Sequence, residues 1–249
     1  MKVSKRLFLI FATLFLFSGF GIFAQEAEAA EDTGISENSE NTELTESADS
    51  SEAAPRSADF VMQFEPGFYL NPESTLISAP SPIVYPISLG FLWPDHAMIA
   101  IQPSVSFFMM YHLWYEDKAL PAEIENRTTT TLSFMVNIPA VLSYYLENSC
   151  FQLTGGLGVF MRFGLLSPGV KEGDSGWSGS AGKDVELINE YFWGNMRWFY
   201  LTVGGSWLYN LTPQLRAGPT INAYIPVGGL ISDKTAQGML ISAGIKICR

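Results

Sequence analysis

From residue 60 onwards, large apolar side chains recur at every second position. In 97–111, Ile99, Ile101, Val105, Phe107, Met109 and Tyr111 share one parity, while Ala100, Gln102, Ser104 and Ser106 begin the other. In 131–146, Leu132, Phe134, Val136, Ile138, Ala140 and Leu142 oppose Thr131, Ser133, Asn137 and Ser143. In 151–163, Phe151, Leu153, Leu157, Val159, Met161 and Phe163 oppose Gln152, Thr154, Gly156, Gly158 and Arg162. The stretches 215–225 and 239–247 repeat the pattern. A period of two kept over ten or so residues is the signature of barrel strands, not of helices.

The two faces differ in kind. One is bulky and apolar; the other is small, polar or singly charged. A water-soluble barrel packs its bulky apolar face inward, whereas apolar-out with polar-in is the arrangement of a transmembrane barrel. No charged residue lies between Arg127 and Glu147, or between Arg216 and Asp233. A solvated sheet face rarely stays uncharged for so long.

The pattern predicts eight strands, at 60–70, 83–92, 97–114, 128–146, 150–164, 196–209, 213–227 and 237–248. The connections alternate: long at 71–82, 115–127, 165–195 and 228–236, short at 93–96, 147–149 and 210–212. The fold class expected is all-β, an eight-stranded antiparallel up-and-down transmembrane β-barrel with short periplasmic turns and long outer loops. Aromatics sort to match. Trp93, Tyr144, Tyr145, Trp207 and Tyr209 fall at the short-turn end, and Tyr69, Tyr111, Trp114, Trp193 and Tyr224 at the long-loop end, as two interfacial belts. Pro66, Pro86, Pro103, Pro139, Pro219 and Pro226 fall inside the expected strands, where each removes a ladder donor. Bulges near the rims are expected to absorb some of them, with Pro66 and Pro103 remaining awkward.

The start of the chain reads differently. Lys2, Lys5 and Arg6 precede the apolar run Leu7–Phe17, and Ala24 ends it, so residues 1–24 have the layout of a secretory signal peptide. Residues 25–59 hold eleven acids against the single base Arg56, with Ile35 and Leu44 as the large apolar residues. That composition cannot offset its ordering entropy, so a disordered acidic leader in the periplasm is expected. The barrel domain is placed at 60–249.

The formal net charge of −11 therefore belongs mostly to the leader and says little about a substrate. It does set aside a basic nucleic-acid binder. Two cysteines and two histidines exclude a disulfide-dense scaffold and leave little for a metal or cofactor site.

The run Val136-Asn137-Ile138-Pro139-Ala140-Val141-Leu142-Ser143-Tyr144-Tyr145-Leu146, followed by Phe151-Gln152-Leu153-Thr154-Gly155-Gly156-Leu157-Gly158-Val159, resembles the small outer-membrane β-barrel ("porin family") domain, a group that includes OmpA-, OmpX- and OmpW-like barrels. The resemblance implies the outer membrane of a diderm bacterium, a monomer, and outer-membrane lipids and the outer-membrane assembly machinery as partners.

An eight-stranded barrel is just wide enough for side chains to fill it. The inward polar candidates are Glu65, Gln102, Asn137, Gln152, Arg162, Arg216, Asn222 and Lys246, with Glu65 expected to pair with Lys246 or Arg216. They read first as a charge-balanced core and second as a narrow ion path. A lipid-modifying enzyme on such a scaffold would need a histidine–hydroxyl pair. His112 has no hydroxyl close in sequence, and His96 sits in a turn beside Asp95, so no enzyme is expected. Cys150 and Cys248 lie three strands apart, roughly 14 Å along the wall, beyond the reach of a disulfide. The expected role is structural or surface-interacting through the long loops. The alternative is OmpW-like passage of small hydrophobic molecules.

Overall fold

The computed structural model describes residues 58–72, 81–122, 129–167, 169–170, 180–232 and 236–249. The expected signal peptide, nearly all of the acidic leader and parts of each long loop lie outside them.

The strands are β1 (Asp59–Phe64), β2 (Gly67–Tyr69), β3 (Ile83–Val84), β4 (Ile87–Leu92), β5 (Ile99–Ile101), β6 (Ser104–Tyr115), β7 (Lys118–Pro121), β8 (Thr129–Tyr145), β9 (Ser149–Leu166), β10 (Phe199–Thr212), β11 (Leu215–Pro226) and β12 (Leu240–Cys248). Eight walls come from eleven of the twelve segments, because β1/β2, β3/β4 and β5/β6 are each one wall interrupted, and β7 pairs with β6 outside the ring of walls. All pairings are antiparallel. The first wall bonds to both the second and the last: β1 pairs β4 and β12, and β2 pairs β3 and β12. The sheet is thus a closed eight-stranded barrel.

The interruptions fall at Pro66, Pro86 and Pro103, and no bulge accommodates them. Register is the same on either side: Phe64 faces Ile245 and Gly67 faces Ser242, and Ile101 faces Ala140 as Ser104 faces Asn137. A proline lacks a donor but keeps its carbonyl. Ala243 N donates to Pro66 O (3.0 Å), Glu65 N to Pro86 O (3.0 Å), Phe91 N to Pro103 O (3.1 Å) and Gln102 N to Pro139 O (2.9 Å). Each of these prolines gives up one ladder bond and nothing else in the pairing. One register irregularity in the β10–β11 pair does occur at a rim, between Asn210 and Thr212.

Three further boundaries differ from the sequence reading. The turn expected at 210–212 lies at 213–214, because β10 runs on through Thr212. The loop expected at 115–127 contains β7, which folds back on β6 around Glu116 (φ 46°) and Asp117 (φ 58°). Two consecutive positive φ values give the twist that a two-residue hairpin needs. The loop expected at 165–195 contains the helix α1 (Ala181–Trp193), and a short helix, α2 (Val227–Ser232), follows β11. Ser180 caps α1, its Oγ accepting from Lys183 N. Ala181, Ile188 and Phe192 fall on its buried stripe. Asn189 fastens it to β9: Gly164 N donates to Asn189 Oδ1 (2.8 Å), and Asn189 Nδ2 to Gly164 O (3.3 Å).

The side-chain distribution is inverted relative to a soluble protein. Ile83, Ile87, Leu89, Phe91, Ile99, Val105, Phe107, Ile138, Leu142, Leu153, Leu157, Val203, Ile221 and Ile245 all point outward and are exposed. Glu65, Gln152, Lys246 and Arg162 are buried inside. No described helix is long and apolar enough to cross a membrane; in this chain the strands carry the apolar belt. Ile138, at mid-height in β8, is 62% exposed. Ile138→Arg should cost about 2–4 kcal/mol in lipid vesicles, measured by equilibrium unfolding. A surface substitution costing less than about 0.5 kcal/mol would mean that this face meets water.

Candidate functional site

The lumen is built in layers by the inward parity of all eight walls. At the short-turn end, Val61, Leu92, Ala100, Val141, Cys150, Leu208 and Cys248 form an apolar plug. Both cysteines are free thiols within it. Below the plug, Arg216 Nη2 pairs with Asp59 and with Asp95 Oδ1 (2.7 Å), while its Nη1 reaches Tyr145 Oη (3.5 Å). His96 N donates to Asp95 Oδ1 (2.7 Å), its Nδ1 contacts Asp95 Oδ2, and its ring stacks on Tyr145 at 5.9 Å. Burial alone would raise the Asp95 carboxyl, but the Arg216 charge outweighs it, helped by Asp59 and His96, and its pKa is lowered.

Above the plug lies the polar layer. Lys246 Nζ donates to Gln102 Oε1 (2.5 Å) and Gln152 Oε1 (2.7 Å), and Gln152 Nε2 to Ser143 Oγ (3.3 Å). Glu65 accepts from Asn222 Nδ2 and from Tyr224 Oη (3.0 Å). Thr202 Oγ1 donates to Asn137 Oδ1 (3.0 Å). All eight polar candidates are buried inside the barrel; six of them fall into these three clusters, while Arg216 joins the acids at the rim and Arg162 bonds Tyr69 Oη and the Arg197 carbonyl. The expected pairing of Glu65 with Lys246 or Arg216 is not among them. Amides and a phenol solvate the two lumen charges separately, and Arg216 spends its charge on acids at the rim. Asp59, which the sequence reading gave to the leader, is one of those acids and starts β1.

Glycines opposite the two asparagines make the room. Asn222 faces Gly204, where an added Cβ would lie 1.8 Å from Asn222 Oδ1. Asn137 faces Gly158, where the distance would be 2.1 Å.

At the long-loop end, Tyr69, Val84, Phe108, Met110, Met135, Phe160, Tyr200, Tyr224 and Leu240 fill the lumen. Two of the expected interfacial aromatics are here: Tyr69 and Tyr224 are buried, 3% and 4% exposed. Parity explains it. Tyr69 shares the face of Glu65, and Tyr224 that of Asn222. Trp114 is partly buried against Ala119, Ile188 and Phe192 under α1. Trp93, Tyr144, Trp207 and Tyr209 are exposed at the turn end, as is Trp193 at the other, and Tyr145 is at the rim over Arg216. Tyr111 is half-buried on the outward parity.

His112 is fully buried, and the hydroxyl that its sequence neighbours lack comes from across the sheet: its Nδ1 is 2.8 Å from Thr131 Oγ1. Its ring packs on Phe192 and Tyr69. Among the described residues no acid joins that pair, and the site lies inside the barrel, away from the lipid face. Among the described residues, no group of three or more histidine, cysteine or acidic side chains could hold a metal ion.

These features define a closed, plugged, eight-stranded barrel of the transmembrane kind. No family model and no curated protein matches the chain. Solved structures similar to it include Neisserial surface protein A (10% identity, 76% of this chain and 96% of that chain, TM-score 0.41). Two others are of Ail, the attachment invasion locus protein of Yersinia pestis: a crystal structure (8%, 77% and 95%, TM-score 0.40) and a backbone structure in a phospholipid bilayer nanodisc (9%, 78% and 100%, TM-score 0.37).

Two outcomes follow from this geometry. Gly204→Ala should push Asn222 off Glu65 and destabilise the barrel by about 1–3 kcal/mol, seen as a lower urea midpoint; an unchanged midpoint would mean that Asn222 is dispensable to the buried carboxylate. Because Asp95 has a lowered pKa in the fold, its stabilising effect is full above the ordinary aspartate range, near about 4, and is lost as pH falls through the lowered value. The stability gap between the native protein and Asp95→Asn should therefore shrink as unfolding is measured from about pH 6 down to about pH 3.

Proposed function

We propose that this protein is a non-conducting outer-membrane barrel whose role is to present its long loops, at 71–82, 115–127, 165–195 and 228–236, to the cell exterior. The observation that carries the reading is the filled lumen. Leu92 and Leu208 in the apolar plug, and Lys246, Gln152 and Glu65 in the polar layer above it, are each 0% exposed. A path for ions or solutes would have to displace the apolar plug, break the Lys246 and Glu65 clusters and lift Phe192. Eight strands leave no slack for that. The apolar belt supports a bilayer setting, and the aromatics at both ends support a fixed depth in it.

On this reading the barrel is an anchor and the outer loops do the work, with α1 as a rigid platform closing the lumen and tying the longest loop to β9. Both chain ends and the short turns lie in the periplasm. The lumen polar groups serve stability, not catalysis or transport. Passage of small hydrophobic molecules is less well supported, because an apolar layer seals the turn end and an aromatic layer fills the other.

Reconstituted into planar bilayers, the native protein should carry no discrete currents, and Glu65→Gln should not alter that record. Steady single-channel currents that change in Glu65→Gln would assign the lumen to conduction and overturn the reading.

A further inference from the structure

We propose that the outer chamber of the barrel, under α1, binds a small anion of chloride size, held by the Arg162 guanidinium. The proposal concerns the barrel interior and stands apart from the surface role above.

Arg162 projects inward from β9 and is 3% exposed. A guanidinium stays charged in a protein. Among the described residues none supplies a carboxylate to it. Its Nη1 donates to Tyr69 Oη (2.9 Å) and its Nη2 to the Arg197 carbonyl (2.8 Å). It lies over the rings of Phe192 (4.1 Å) and Phe160 (4.6 Å). These contacts are neutral. The other buried charges of this lumen have better provision: Arg216 meets two acids, Lys246 two amide oxygens, and Glu65 an amide and a phenol.

Among the described residues, three buried polar atoms at this level have no hydrogen-bond partner: Arg162 Nε, His112 Nε2 and Ser133 Oγ. They are neighbours. Ser133 faces Arg162 across the β8–β9 pair, His112 and Arg162 both pack on the Phe192 ring, and Tyr69 gives its ring to His112 and its hydroxyl to Arg162. Unmet buried polar groups are rare, and a buried guanidinium with an unmet N–H and no carboxylate partner among the described residues marks a place where something is bound. The chemistry favours an anion over water. Beside Arg162 the space is lined by a second guanidinium, Arg197, and by the Tyr69 hydroxyl and the Gln237 amide, all of them able to donate. This cavity, which Arg162, Tyr69, Tyr200, Arg197 and Gln237 line and His112 and Ser133 do not, has a volume of about 20 Å³. That admits one water-sized group, hence a halide, and is too small for a whole phosphate.

The test uses the full barrel refolded in octyl glucoside micelles, with chloride-35 NMR linewidth as the probe. The native protein should broaden the chloride line beyond empty micelles, bromide should reverse it, and Arg162→Gln should weaken binding about tenfold or more. Heat-modifiable gel mobility shows which variants fold. If Arg162→Gln does not, Tyr69→Phe is read in its place. It keeps the ring, removes a cavity hydroxyl and should weaken binding several-fold. No excess broadening by the native protein, or broadening unchanged in the folded variant, overturns the proposal. Displacement by phosphate but not by bromide overturns the halide assignment.

Discussion

Everything in this molecule depends on backbone hydrogen bonds having no partner but the chain itself. The outer surface is apolar from Ile83 to Ile245, and in such surroundings an unpaired amide costs several kcal/mol. The sheet therefore has to close, and the bonding of the first wall to both the second and the last is the contact that makes closure possible. The prolines show how tightly the rule binds. Four of them keep their carbonyls in the ladder and forfeit one donor each, with register held on both sides. A slip of one residue there would turn the apolar belt inward and the polar lumen out.

Closure with eight walls fixes the interior as well. Inward side chains meet across a narrow lumen and have to satisfy one another. The result is stratified: an acid-paired arginine at the turn rim, an apolar plug, an amide-rich layer, and an aromatic layer under α1. Small residues in one wall make space for polar ones in the next, as Gly204 does for Asn222 and Gly158 for Asn137. The charges in the amide layer sit apart, each solvated by neutral groups. This avoids both a bare buried charge and a single pairing on which both ions would depend.

The long-loop end departs from that economy. Arg162 has rings, a phenol and a carbonyl around it but no counter-charge among the described residues. The helix that covers it belongs to the longest connection. The anchorage of that connection passes through Phe192 and Asn189 into the part of the lumen where polar atoms are left unmet.

The strands and their inward parity were legible in the sequence, because a two-residue period survives whatever the neighbours are. That was enough to place Glu65, Gln102, Asn137, Gln152, Arg162, Arg216, Asn222 and Lys246 inside. The same parity already turned Tyr69 and Tyr224 inward, against their assignment to the belt. Other features left little trace. α1 has thirteen residues inside a glycine- and serine-rich stretch, and its stripe acquires meaning only when Ile188 and Phe192 meet the barrel mouth. Partner choice was the other gap. Asn222 rather than Lys246 solvates Glu65, Asp59 and Asp95 converge on Arg216, and Thr131 supplies the hydroxyl to His112. One chain by itself determined which way each side chain faces, since that depends on local alternation. Only the tertiary structure decided which of them touch, because registers between walls and distances across a closed lumen are properties of the whole barrel.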